Sequence, residues 1–320
     1  MDLGSSWQWS NDNSMNNLML YLVTVLVWGS TWLAITYQLG EIDPLISISY
    51  RFILASVFLL GYCIITDKPM KFSARTHGFM LLLGTCLFGF NYWLFYMASE
   101  HLTSGLVAVT FSTVVLMNAV NGRIFMGTPI RPVVVLAALI GLTGIVLVFW
   151  PEVENFHLAD QGIIVLGMTM LATYFASLGN IVSAYNQSQQ VPVLQANAYG
   201  MGYGAILMLS IALLMGKPIS FDWNVTYIGS LFYLSVFGSI AAFGCYLTLI
   251  GRIGADKAAY ASLLFPIVAL QLSVWFEGYH WNAQSLIGTA MILFGNLIIL
   301  LPEKVWKRTK ANPALCTESQ

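Results

Sequence analysis

One arginine, Arg51, lies inside an apolar stretch of this chain, residues 44–66, where a permanent positive charge is unusual. Its guanidinium has five N–H donors in a planar fork that suits carboxylates. If the stretch is a membrane helix, the charge costs at least about 2.5 kcal/mol unless it meets a carboxylate, backbone carbonyls or water. Two roles stay open: a counter-charge for an anionic group on a small molecule, or a structural tie to Glu100 or Glu277.

Neutral polar and aromatic side chains recur at spacings of three or four residues in several other apolar stretches, so each group shares a helical face. Together they could line a wet cavity, because aromatic faces attract cations and amide and hydroxyl groups form hydrogen bonds. The competing interpretation is structural, since Ser and Thr bond across membrane helices and Trp and Tyr gather at membrane interfaces. The candidate cavity residues are Trp28, Thr31, Trp32, Arg51, Asn91, Tyr92, Tyr96, Thr110, Tyr174, Ser177, Asn180, Tyr246, Tyr260 and Gln271.

Two carboxylates, Glu100 and Glu277, lie at the ends of apolar stretches and are candidates for gating or ion pairing. For Glu277 the competing role is to cap a helix end or to pair with a basic group. The chain has no GxxxxGK[ST] loop, no HExxH motif and no CxxC pair, and its four histidines are not at metal-ligand spacing. We therefore expect no cofactor, no metal and no enzymatic activity. The net charge of −1 argues against nucleic acid as a partner.

The elements that must position these residues are predicted to be membrane helices. Only 8% of the 320 residues are charged and 58% are hydrophobic, whereas soluble domains carry about 25% charged residues. A bilayer core needs about 20 apolar residues per helix. Ten such stretches are present: 17–38, 44–66, 77–98, 103–124, 131–150, 160–185, 194–214, 225–248, 255–275 and 282–301.

The distribution of Lys and Arg predicts an orientation for these ten helices. Alternate loops and the C-terminal segment hold 11 of the 13 basic residues, whereas the opposite side holds Lys217 alone and Arg51 is within a helix. The positive-inside rule places the basic side, and with it both termini, in the cytoplasm.

The two halves of the chain repeat one another weakly but in order. Residues 99–115 and 250–266 each show a helix end, a very short turn and a helix of small residues. Pro44 and Pro192 both open a helix, and residues 28–31 lie opposite residues 175–178. Five helices per half is an odd number, so the second copy must enter the membrane upside down, as in transporters with inverted repeats.

The same residues resemble the drug/metabolite transporter superfamily, and within it the ten-helix EamA branch. The resemblance covers about residues 18–301. It has two departures: the first half has Met126-Gly127 where the second has Glu277-Gly278, and Val115 where the second has Pro266. The matching features are Trp28-Gly29-Ser30-Thr31, Arg51-Phe52 with Ala55, Asn91, Thr103-Ser104-Gly105, Ala255 through Pro266, Glu277-Gly278, and Gly288 with Gly295.

The resemblance implies an all-α integral membrane protein that exports small molecules. We expect a polar cytoplasmic tail at 1–16, one repeat at 17–152, a second at 153–301 and a basic cytoplasmic tail at 302–320. The leading hypothesis is a secondary transporter that exports amino acids or related metabolites across the inner membrane by alternating access. The alternatives are export of aromatic or cationic toxic compounds, or a membrane receptor or scaffold. The expected partners are the cargo and lipid, with the oligomeric state open.

Overall fold

The computed structural model describes residues 5–127, 130, 132–148, 150, 161–253 and 261–300, and all regular structure in these ranges is helical. Side chains are described from residue 16 onward within these ranges, except at 161, 247, 250–253, 262, 263, 299 and 300. In the first part the helices are α1 Ser5–Thr36, α2 Pro44–Ile65, α3 Ala74–Leu83, α4 Asn91–Ser99, α5 Ser104–Phe111, α6 Val114–Met126 and α7 Pro132–Val148. In the second they are α8 Gln161–Ser188, α9 Val193–Leu214, α10 Val225–Tyr233, α11 Ala242–Ile253, α12 Ala261–Phe276 and α13 Ala283–Leu300.

The predicted apolar stretches all coincide with helices in the described part of the chain. Seven continuous helical segments are long and apolar enough to cross a membrane, and three more, Pro132–Val148, Leu264–Phe276 and Ala283–Ile298, are shorter apolar helices. Ten crossings thus remain a prediction. Helix α1 begins at Ser5, within the segment predicted as a tail, and no Pro or Gly interrupts the chain between Ser5 and the first span.

Two predicted helices contain a π-helical turn at mid-length. The first π segment, Gly84–Phe90, joins α3 to α4, and the second, Leu234–Ala241, joins α10 to α11. A π turn widens the helix locally and is frequent at functional sites. Hydropathy does not reveal such turns, because the apolar pattern continues through them.

Glycines allow close helix contacts, as the sequence predicts. A Cβ added to Gly144 would lie 2.7 Å from the carbonyl oxygen of Gly288, so α7 and α13 meet backbone to backbone. A Cβ on Gly84 would collide with the carbonyl oxygen of Gly200 in α9. Such contacts between small residues are a main source of helix association in lipid.

The stretch predicted as a single helix over 103–124 is broken between α5 and α6. Ser112 and Thr113 turn their hydroxyls onto the carbonyl oxygens of Val109 (2.6 Å) and Thr110 (2.8 Å). Asn296 of α13 donates its Nδ2 to the carbonyl oxygen of Ser112, at 2.8 Å. The break therefore forms without a proline, because local hydroxyls and one amide from a neighbouring helix satisfy its polar groups.

We expect Asn296→Leu to lower the free energy of unfolding by about 1–3 kcal/mol, because it leaves the buried Ser112 carbonyl without its side-chain donor. The measurement is thermal unfolding of the detergent-solubilised protein. Thr143→Val is the matched control, since its hydroxyl is exposed and bonds only its own helix at Leu139. Equal stability of the two variants would contradict this role of Asn296.

One ion pair is described outside the spans. Lys217 Nζ lies 2.8 Å from Oδ2 of Asp43, and this hydrogen bond and charge raise the pKa of Lys217. The other oxygen of Asp43 accepts from the backbone N–H of Leu45 (3.0 Å) and caps α2. The pair thus joins the segment after α9 to the start of the helix that carries Arg51.

Candidate functional site

Arg51 is buried, with 1% of its surface exposed, and its guanidinium contacts two helices besides its own. Nε donates to Ser239 Oγ at 3.2 Å, and Nη2 lies 3.5 Å from the hydroxyl of Tyr92, the outer limit of a hydrogen bond. Cζ lies 4.5 Å from the ring centroid of Tyr92 and 5.1 Å from that of Phe52. Two aromatic rings and two hydroxyls therefore hold the charge in a fixed position.

The second π segment brings α1 against this guanidinium. Ser239 Oγ donates to the carbonyl oxygen of Leu234, five residues earlier, at 3.0 Å. Trp28 Nε1 donates to the carbonyl oxygen of Gly238 at 3.3 Å. A Cβ at Gly238 would lie 2.7 Å from Thr31 and 3.4 Å from Arg51 Nη2, so a larger residue would displace both side chains.

Arg51 has no carboxylate partner among the described residues, where the one ion pair joins Lys217 to Asp43. Glu100 is exposed, and Glu277 accepts hydrogen bonds from another helix. A structural role for Arg51 through Glu100 or Glu277 therefore has no ion pair behind it among the described residues, and the helix contacts of Arg51 run through Ser239 and Tyr92 instead.

Three buried polar atoms lack a hydrogen-bond partner within the described ranges: Nη1 of Arg51, the nearby Tyr96 hydroxyl, and Oδ1 of Asn91, the residue before Tyr92. The Tyr96 hydroxyl lies close enough to the guanidinium to interact with its charge, but the two are not placed for a hydrogen bond of normal geometry. Asn91 donates Nδ2 to Leu87 in its own helix at 3.3 Å. A buried donor and acceptor left unpaired cost free energy, and an anionic ligand with a polar group would satisfy them.

Aromatic rings extend this site along α1. The Trp28 ring centroid lies 5.2 Å from Phe243, 4.9 Å from Tyr246 and 6.4 Å from Phe265. Trp32 packs against Phe95 at 5.1 Å. The site thus combines a positive charge with a wide apolar surface, and the three phenylalanines were not among the predicted residues.

Two other predicted residues belong to a second group, between α6 and α8. Asn121 donates Nδ2 to Ser177 Oγ at 2.9 Å, and Asn180 donates Nδ2 to Asn118 Oδ1 at 3.3 Å. We call Asn118, Asn121, Ser177 and Asn180 the amide cluster. The two asparagines of α6 were missed, although their spacing of three residues in an apolar helix places them on one face.

The remaining predicted residues are not brought into either group. Thr110 is buried and bonds its own helix at Leu106, at 3.0 Å. Tyr174 is 39% exposed, and Gln271 is also exposed. Tyr260 lies outside the described residues.

Glu277 caps a helix of the other half of the chain. Its carboxylate accepts from the backbone N–H of Ser104 at 3.0 and 3.1 Å and from the Ser104 hydroxyl at 2.6 Å. The hydroxyl of Ser273 also donates to it. Ser104 is the first residue of α5, where a negative charge complements the helix dipole. The capping role is thus observed, but on α5 rather than on the turn that follows α12.

Residues 15–150 and 162–301 each match the EamA-like transporter family. The chain belongs to the EamA-like transporter family. It is therefore a multi-pass membrane transporter of the drug/metabolite transporter superfamily, as the resemblance predicted.

Relatives of this EamA-like chain, two of them named as transporters, match it over most of its length. The uncharacterized inner membrane transporter YedA of Escherichia coli is 23% identical over 86% of this chain and 88% of its own. The uncharacterized transporter YoaV of Bacillus subtilis is 22% identical over 89% and 94%. Protein PagO of Salmonella typhimurium is 22% identical over 88% and 92%.

A solved crystal structure shares the fold. It superposes with a TM-score of 0.64 at 17% sequence identity, over 93% of this chain and 99% of that chain.

Proposed function

We propose that this protein is a secondary transporter that exports amino acids or related carboxylate-bearing metabolites across the inner membrane. The observation that carries the proposal is the buried guanidinium of Arg51, which has an unpaired Nη1 and no described carboxylate partner. A fixed charge of this kind, surrounded by aromatic rings, is ready to bind a carboxylate, and charge-assisted hydrogen bonds are the strong ones. The aromatic rings beside it suit the apolar part of such a cargo.

The second candidate is export of aromatic or cationic compounds, which the ring cluster around Trp28 favours, because aromatic faces attract cations. The charge of Arg51 opposes it. Gly238 accepts a hydrogen bond from the Trp28 indole, and a Cβ at Gly238 would lie 3.4 Å from Arg51 Nη2. A cation bound on the rings around Trp28 would therefore lie close to a like charge. A carboxylate-bearing cargo is therefore favoured over an aromatic or cationic one.

We further propose that two inverted five-helix repeats, at 17–152 and 153–301, alternate the site between the two faces of the membrane. Helix contacts support this arrangement, because they come in pairs that the repeat would relate. Helix α2 packs on α9, and α7 packs on α13, so in each case a helix contacts its own counterpart in the other half. Helix α1 packs on α12, and the corresponding pair, α6 and α8, is also in contact. Each half contains one π segment. The family matches this chain twice, at 15–150 and 162–301, so one match falls in each proposed repeat.

Uptake into proteoliposomes tests the cargo class. The assay uses labelled neutral amino acids and labelled quaternary ammonium compounds, each with an imposed gradient of that compound. We expect saturable uptake of at least one amino acid and none of the ammonium compounds. Uptake of quaternary ammonium compounds alone would instead establish the second candidate.

Cysteine labelling tests the orientation, with both termini predicted in the cytoplasm. Single cysteines at positions 71 and 217, in a cysteine-free background, are exposed to a membrane-impermeant maleimide in intact cells. We expect labelling at position 217 only, and a cysteine added at either terminus should behave like the one at position 71. Different labelling of the two termini would contradict the paired inverted repeats.

A further inference from the structure

The amide cluster contains a buried acceptor that no group in the described part of the chain satisfies. Asn121 is 1% exposed and Ser177 is fully buried. Asn121 gives its Nδ2 to Ser177, but its Oδ1 has no partner in the part of the chain that the structure describes. An amide oxygen left without a hydrogen bond in an apolar interior costs about 2–7 kcal/mol, so such atoms usually mark a place where a ligand or water binds.

The position of the amide cluster in the helices separates it from Arg51. Asn121 lies five residues before the end of α6, whereas Arg51 lies seven residues after the start of α2. With the orientation proposed above, the amide cluster lies toward the cytoplasmic side and Arg51 toward the outer side. In the comparison of the two halves, Ser177 corresponds to Ser30, the residue before Thr31 of the Arg51 site.

The chemistry of the two places is complementary. Arg51 offers an unpaired N–H donor and a positive charge, which suit a carboxylate. Asn121 offers an unpaired acceptor among neutral amides and a hydroxyl, and the cation next to it in α6, Arg123, donates its Nη1 to the carbonyl oxygen of Gly127 at the helix end. An amide oxygen in a low-dielectric interior binds N–H donors well, and the charged ammonium of an amino acid gives the strongest such bond.

We propose that the amide cluster is a second cargo-binding site, which binds the protonated amine of an amino-acid cargo through Asn121 Oδ1. The inference rests on the proposed function and assigns the amine end of the cargo to residues that the Arg51 site does not use. An exported molecule would meet the amide cluster first and Arg51 second.

Calorimetric binding to the detergent-solubilised full chain separates this site from the Arg51 site. The probes are leucine and isocaproate, which has the same carbon chain and carboxylate but no amine. We expect Asn121→Leu to weaken leucine binding at the amide cluster about tenfold or more, the effect of one lost charge-assisted bond, and to leave isocaproate, which binds through its carboxylate at Arg51, within about twofold. Asn121→Asp keeps the acceptor and should bind leucine at least as tightly as the wild type.

Thr24→Val is the control, because Thr24 is fully buried and its hydroxyl bonds only its own helix at Leu20. It should change neither affinity. Equal weakening of leucine and isocaproate by Asn121→Leu, or loss of leucine binding in Asn121→Asp with intact isocaproate binding, would overturn the second site alone. A wild-type protein that binds neither probe would overturn the proposed function and this inference together.

Discussion

Arg51→Gln is expected to lower kcat/KM for amino-acid uptake by about 30-fold or more. Removing the charge leaves the cargo carboxylate facing an uncharged amide, and truncating one partner of a buried charge pair costs about 2–5 kcal/mol. A loss of 2 kcal/mol corresponds to roughly 30-fold in rate or affinity. The measurement is initial uptake of labelled amino acid by proteoliposomes that contain equal amounts of each protein.

Two companion measurements distinguish binding from a structural role for Arg51. Arg51→Lys keeps the charge but loses the planar fork, so its uptake should lie between that of the wild type and of Arg51→Gln. Thermal stability of Arg51→Gln should not fall, because removing an unmatched buried charge relieves its desolvation cost. A large loss of stability with equal loss for every cargo would assign Arg51 to the fold instead.

Glu277→Leu is expected to lower the free energy of unfolding by about 2–4 kcal/mol. The substitution leaves the backbone N–H and hydroxyl of Ser104 and the hydroxyl of Ser273 without their acceptor, and it removes a negative charge from the start of α5. Chemical denaturation of the solubilised protein measures the change. Since the carboxylate joins α12 to α5, we also expect faster proteolysis of the turn at 100–103.

Glu100→Gln is the matched control for this experiment. Glu100 lies at the same end of the α4–α5 pair but is exposed, and substitutions at such surface positions change stability by less than about 0.5 kcal/mol. If the two glutamate variants lost equal stability, the cap on α5 would not be the reason for the loss at Glu277.

Much of the fold was predictable because hydropathy and charge are summed over many residues. Pro44 begins α2 as expected, and the contact of Gly144 with Gly288 follows from small residues in apolar helices. The π segments were not predictable, since an extra residue in a turn leaves the apolar pattern intact and depends on neighbours such as Gly200 against Gly84.

The charged residue of the candidate site, Arg51, was predictable from the sequence, but most of its contacts were not. A lone arginine in an apolar stretch is easily recognised in the sequence. Its partner Ser239 is not, because the second π segment places that side chain. The helix break near Val115 was not predictable from the repeat. The second half has Pro266 at the corresponding position, whereas the break in the first half depends on hydroxyls and on Asn296. Asn121 was overlooked because an amide in a membrane helix is usually satisfied by a neighbouring helix.

The most direct test of carboxylate binding at Arg51 is a thermodynamic cycle that combines one change in the protein with one change in the ligand. Calorimetry gives the affinity of the wild type and of Arg51→Gln for leucine and for leucinamide, in which the carboxylate is replaced by a neutral amide. We predict that amidation weakens binding to the wild type about 30-fold or more and has little effect on Arg51→Gln, a coupling of about 2 kcal/mol or more. Equal losses on amidation in both proteins, which means no coupling, would contradict the account.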